Sequence, residues 1–309
     1  MSKPRVPVLG SVARIGRLTR VEMFKLIGHK LFPCILGITL VLTVGLAVVG
    51  MGFSRGGASV RFSNYSLWVV SSTYALRIAI IILVAQAAMS MSSEAGSRTL
   101  NTILSRPIRR VEFITAKVLS LVVATVLVFL VSGLAGFVMG GFVKNPLARG
   151  RAVTTESGEI EWQPSGGWPS YDDAVDPLYP DTVMATRGEV IGTILKGYVL
   201  LLVPALAAVF VGFLIGTLID SSGLAIGLSI GLSVTLVIGE FSPFLFVDYV
   251  GRFTYFNPLP ELATVMANAG KGTAPVWDKV LSGVGISSLY VAGSLLLSYL
   301  FFCRRDVTL

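Results

Sequence analysis

The chain has 309 residues, of which 53% are hydrophobic and only 14% charged, and its mean hydropathy is +0.78. Soluble domains run about 45–50% apolar and about 25% charged, so this composition excludes an ordinary cytoplasmic enzyme, a disordered protein and a nucleic-acid-binding domain. The formal charge of +8 has to be placed relative to membrane spans before it is given any other meaning. Two cysteines, Cys34 and Cys303, and one histidine, His29, are too few for a disulfide framework or a Cys/His metal site.

Residues 1–30 come first: a Pro- and Gly-bearing tail and then a basic amphipathic stretch. On a helical wheel, Val12, Ile15, Leu18, Met23 and Leu26 fall in an arc of roughly 140°, opposite Arg14, Arg17, Arg20 and Lys25, with Val21 and Phe24 interrupting the polar face. That pattern predicts an interfacial helix, apolar side in the membrane and basic side toward anionic lipid. The alternative is a plain cytoplasmic extension that supplies orientation charge.

A membrane span needs about 20 mostly apolar residues, and six candidates follow within residues 31–303. They are Leu31 to Phe53, a stretch within Ser66 to Met91, then Val118 to Val143, Val190 to Ile219, Ser222 to Val247 and Val280 to Cys303. The predicted fold is therefore an all-α integral membrane protein with six transmembrane helices. The side holding the N-terminal segment, the loop 92–117 and the tail 304–309 carries fourteen Lys and Arg against nine on the other. The positive-inside bias gives N-in and C-in. The first apolar run is too long, and starts too far in, for a cleavable signal peptide.

Three spans carry a charge. The second span is expected to start near Tyr74, which would leave Arg77 close to the outer surface and able to snorkel. The alternative is that Arg77 faces a pathway or pairs with Glu240. Lys196 and Glu240 lie near outer span ends, where snorkelling or cavity lining suits them. Gly212 and Gly216, and Gly223, Gly227 and Gly231, recur every four residues, a spacing that serves either dimer contact or packing within the chain.

The outer loop 144–188 is long, polar and acidic, with four aromatic residues, Trp162, Trp168, Tyr171 and Tyr179. It is either a small cap that gates exit or meets a partner, or a variable insertion whose aromatics pack on themselves. Its carboxylates lack the register of a calcium loop. The stretch 248–279 is broken by Pro and Gly yet still apolar, and residues 243–270 are expected to include short re-entrant or interfacial helices.

The loop 92–117 has an apolar helical spacing at Leu100, Ile103 and Leu104, a break at Pro107, and room for a second helix after it. A helix–break–helix of this kind suits the docking of a partner, since those three side chains would otherwise be exposed. In order along this segment stand Glu94, Thr99, Leu100, Leu104, Pro107, Arg110, Glu112 and Lys117. Arg304, Arg305 and Asp306 follow the last span directly, and Glu22 lies in the basic helix before the first. In this order and spacing the chain resembles the ABC type-2 transporter permease family. It departs from the family pattern at Arg98 and Ala116, where the family usually has Gly.

The resemblance implies a membrane subunit of an ATP-binding-cassette transporter, usually an exporter, in the bacterial inner membrane. Loop 92–117 would be the coupling element seated on a separate ATP-binding subunit. Its contact set would be Glu94, Arg98, Thr99, Leu100, Ile103, Leu104, Pro107, Arg110, Glu112 and Lys117. The implied partners are two ATP-binding subunits, a second copy or a sibling permease, and membrane lipids. ATP and Mg would be held by the partner. No P-loop, Ser/His/Asp set, catalytic residue or metal site is found in the sequence. Leu281-Ser282-Gly283-Val284-Gly285 looks like an ABC signature sequence but opens an apolar span, where it reads as helix packing. The rival readings are a membrane scaffold or assembly factor without transport, and an ion-coupled secondary carrier.

Overall fold

The structure is a computed structural model that describes residues 8–55, 63–96, 109–142, 151–154, 160–163, 171, 174–175, 183–239, 254–255, 258–269 and 275–304. Eight helices are described: α1 (Val8–Gly28), α2 (Leu31–Arg55), α3 (Asn64–Gly96), α4 (Arg110–Gly140), α5 (Arg187–Leu218), α6 (Ser222–Gly239), α7 (Pro258–Ala269) and α8 (Asp278–Arg304). Five of them, α2, α3, α4, α5 and α8, are long and apolar enough to cross a membrane. The chain is a multi-pass membrane protein. The fifth predicted span, Ser222 to Val247, corresponds to α6, which is apolar but only 18 residues long. Glu240 lies outside the described residues.

The helices stand where the apolar runs stand, with two informative differences. α3 begins at Asn64, not near Tyr74. Its first turns are rich in Ser, Thr and Asn, which lower the hydropathy but are buried. Their hydroxyls donate to carbonyls of the same helix, as Ser72 Oγ does to Trp68 O at 2.6 Å and Thr73 Oγ1 to Val69 O at 2.7 Å. A hydroxyl satisfied in this way costs little at membrane depth. α4 begins at Arg110, eight residues before the expected span, so Arg110, Glu112 and Lys117 are helical.

α3 is the hub, packing against α2, α4, α5, α6 and α7. Two small residues of α5 set its distance from α3. A Cβ added at Gly212 would come within 2.6 Å of Val84 O, and one at Gly216 would collide with the Ala88 carbonyl. Either glycine replaced by a larger residue would push the helices apart, a change of the kind that costs about 1–3 kcal/mol. These two glycines therefore serve intrachain packing. Gly223, Gly227 and Gly231 on α6 differ, since a Cβ on any of them meets nothing within 4 Å among the described residues.

Polar stitches add to the packing. Thr43 Oγ1 and Ser132 Oγ lie 3.1 Å apart across α2 and α4, and Ser132 Oγ donates to Ser72 O on α3 at 3.1 Å. In the signature-like stretch, Gly283 lies against Pro258, a Cβ there standing 3.0 Å from Pro258 Cβ, so the stretch packs α8 on α7. Cys34 and Cys303 are free and exposed.

The long loop is not wholly irregular. β1 (Arg151–Thr154) pairs antiparallel with β2 (Ile160–Gln163), and β3 (Ala174–Val175) with β4 (Val183–Ala185). Tyr171 ties this segment to the bundle. Its ring stacks on Phe137 at 4.9 Å, lies 5.0 Å from Tyr65, and its hydroxyl donates to Phe137 O at 2.7 Å. Burial pushes that hydroxyl well above the usual tyrosine range, which keeps it a proton donor. α7 supplies the short helix expected within 243–270.

Candidate coupling site at the α1 end of the bundle

α1 turns its apolar arc toward the protein. Leu26 is buried, Ile15, Leu18 and Met23 are half-buried, and the helix packs mainly on α4. Val12 is exposed, and so are Val21 and Phe24 on the opposite face. The arc assigned to lipid by its spacing is thus largely occupied by protein. The lipid-like face is the one on which Arg20 lies over the Phe24 ring at 5.6 Å.

One charge sits inside the apolar arc. Glu22 points with Leu18 and Ile15 and is 9% exposed. It meets Lys117, which lies two turns into α4 and is 2% exposed. Lys117 Nζ donates to Glu22 Oε2 at 2.9 Å and to the Ser90 carbonyl of α3 at 3.1 Å, and it lies 3.0 Å from Glu94 Oε1. Lys25 Nζ closes the ring from the solvent side, at 2.7 Å from Glu22 Oε1 and 3.3 Å from Glu94 Oε1. Two carboxylates and two ammonium groups thereby join α1, α3 and α4 in a balanced square.

The electrostatics follow from that geometry. Burial pushes the Glu22 carboxyl up, but Lys117 and Lys25 outweigh it and hold the group below the usual carboxylate range. Burial pulls the Lys25 ammonium down, but Glu22 and Glu94 outweigh it and raise the group above the usual lysine range. Glu22 therefore contributes stability that is present above its unfolded-state pKa and lost as pH falls through its lowered folded value. Lys25 contributes stability that is present below its unfolded-state pKa and lost as pH rises through its raised folded value. The melting temperature of the purified chain is expected to be flat across neutral pH and to fall on both flanks. With Glu22→Gln the acid-side fall should shrink, and an acid limb of unchanged depth in that variant would contradict the assignment.

The square borders a cavity of about 180 Å³ lined also by Leu26, Gln86 and Ser120. Gln86 is 6% exposed, and its Oε1 has no hydrogen-bond partner among the described residues. A cavity of that size is large enough for water to reach its polar wall.

Around the square, the start of α4 collects further contacts. Glu112 is 3% exposed, and Arg14 of α1 stands 3.9 Å away. Arg110 donates to the Cys303 carbonyl at 3.0 Å, capping the end of α8. Phe113 stacks on Phe302 at 5.9 Å, and Thr115 and Tyr299 pair their hydroxyls at 2.7 Å. The end of α8, and with it the start of the Arg304 tail, is thereby fixed beside α4.

Of the residues expected to couple to a partner, Glu94, Arg110, Glu112 and Lys117 come together at this end. Arg98, Thr99, Leu100, Ile103, Leu104 and Pro107 lie outside the described residues. Lys25, Gln86 and the Ser90 carbonyl were not singled out from the sequence. The helical wheel places Lys25 on the basic, lipid-headgroup side of α1, although its i,i+3 spacing to Glu22 is a signal for the pair.

The two remaining span charges are placed elsewhere. α3 begins thirteen residues before Arg77, about 20 Å along the axis, so the expected position near a span end does not hold. Arg77 is half-buried near the middle of α3, over the Tyr74 ring at 5.4 Å. Lys196, nine residues into α5, stands over the Trp277 ring at 4.5 Å.

No curated protein matches the chain. Residues 18–159 match the family model described as ABC-2 family transporter protein. That match begins inside α1, ends in the hairpin loop, and contains every member of the charge square. Over these residues, a little under half of its length, the chain is similar to the ABC-2 family of transporter proteins.

Proposed function

We propose that this chain is the permease subunit of an ATP-driven exporter. A separate ATP-binding subunit docks on the segment between α3 and α4, and two copies of that subunit serve a pair of permeases. The observation that carries the proposal is the Glu22–Lys117–Glu94 bridge. It joins the last turns of α3 to the first turns of α4, the two helices that flank the coupling segment, and adds α1 to them. A push on the segment is then delivered to three helices as one body. ATP-dependent movement of that body shifts the bundle between two states only if the partner contacts them differently.

Two features support a pathway shared with a second copy. Arg77 lies mid-helix on a face with exposed Tyr74 and Ile78, and Arg at a span centre costs about 2.5–3.5 kcal/mol on insertion scales. That cost falls if the face borders a hydrated pathway. The open Gly223, Gly227 and Gly231 edge of α6 leaves room for the backbone of another helix. Under this reading the α1 end is cytoplasmic, the hairpin loop is external, and the membrane is the bacterial inner membrane.

Affinity purification of the full chain from native membranes in mild detergent tests the reading. A P-loop ATPase recovered in equal copy number supports it. A chain that comes out alone and transports without any ATPase overturns it.

A further inference from the structure

A second cavity lies away from the coupling site, on the flank of the bundle between α4 and α5. It is an apolar slot of about 570 Å³, walled by Trp68, Phe137 and Tyr198. Its lips are Leu130 and Leu134 on one side and Leu195 and Val199 on the other, all more than half exposed. The polar atoms of its walls are turned to protein. Trp68 Nε1 donates to Gly133 O at 3.0 Å, and the Tyr198 hydroxyl pairs with Ser72. The slot therefore offers a ligand only apolar surface along its length.

Its dimensions and one charge define the occupant. Lining residues run from Ile191 to Leu202 on α5 and from Val126 to Phe137 on α4. Each is a run of eleven steps, about 16 Å of helix. One leaflet of a hydrocarbon core of about 30 Å is about 15 Å deep, so the slot is as long as one leaflet. At its end, one turn before Ile191 and on the same helix face, stands Arg187, exposed, at the start of α5 where the span meets the interface. A guanidinium at the interface above an apolar slot one leaflet long complements a phosphate carrying an acyl chain.

We propose that this slot is a phospholipid site, holding one acyl chain between α4 and α5 with the phosphate on Arg187. The proposal rests on the membrane embedding of the bundle and is independent of the ATP-binding partner.

Trp68 is a built-in probe of the slot. The full chain with Trp162, Trp168 and Trp277 changed to Phe is placed in phosphatidylcholine vesicles. Trp68 fluorescence is then titrated with a small mole fraction of brominated phosphatidylcholine or brominated diacylglycerol. The phospholipid should quench with about tenfold steeper initial slope, the fold-change of one charge-assisted hydrogen bond. Arg187→Gln, a change at an exposed residue, should bring the two slopes together, and Gly133→Leu should fill the slot and reduce quenching by both lipids. Equal slopes in the unaltered slot, or slopes that Arg187→Gln leaves unchanged, would overturn the phosphate assignment. Absence of Trp68 quenching by either lipid would overturn the site itself and assign the slot to a second copy of the chain.

Discussion

Replacing Lys117 by Met is expected to be among the most damaging single changes in this protein. Removing one member of a buried ion pair costs about 3–5 kcal/mol, because the remaining charges stay buried without their partner. Lys117 is 2% exposed and serves two carboxylates and a backbone carbonyl. Its loss leaves Glu22 and Glu94 facing each other with only the half-exposed Lys25 between them. Lys25→Met should cost far less, since exposed pairs contribute about 0–1 kcal/mol. Thermal denaturation in detergent reads the difference, and proteolysis should find α1 released in Lys117→Met and retained in Lys25→Met. Equal melting temperatures for wild type and Lys117→Met would remove the square as the element that joins the three helices.

The sequence revealed more of the bundle than of the site. Uninterrupted apolar runs located α2, α5 and α8 to within a few residues, because composition alone decides where a helix can face lipid. It failed at the starts of α3 and α4, for opposite reasons. At α3, Ser63, Asn64, Ser66 and Ser72 look too polar to be buried, yet local side-chain hydrogen bonds satisfy them. At α4 the apolar run starts only at Val118, whereas the helix that the break at Pro107 allows begins at Arg110, and Arg110, Glu112 and Lys117 each find a partner on another element. Such partners lie 95 positions apart, as Glu22 and Lys117 do, and no local pattern reports them.

The same reasoning explains α1. Its periodicity correctly marked an amphipathic helix, and periodicity says that an apolar face is covered without saying by what. Here α4 covers it. The one charge within that face, Glu22, was the trace of a buried partner. The small-residue repeats were equally ambiguous from spacing. Only the fold separates Gly212 and Gly216, where an added Cβ would strike α3, from the α6 glycines, where it would meet open space among the described residues.

The second large effect is expected at Leu104. If the segment between α3 and α4 seats in an ATP-binding subunit, its apolar residues are buried there. Fully burying a Leu is worth about 1.5–3 kcal/mol, and an unpaired carboxylate in its place adds a desolvation cost. Together they weaken the complex by more than about a hundredfold. Membrane insertion should be untouched, because the change lies outside the five spans. The most direct measurement is therefore the recovery of the P-loop ATPase with wild type and with Leu104→Asp, from membranes holding equal amounts of each chain. The account predicts an ATPase that accompanies the wild type and is lost from the variant. Undiminished recovery with Leu104→Asp would contradict it.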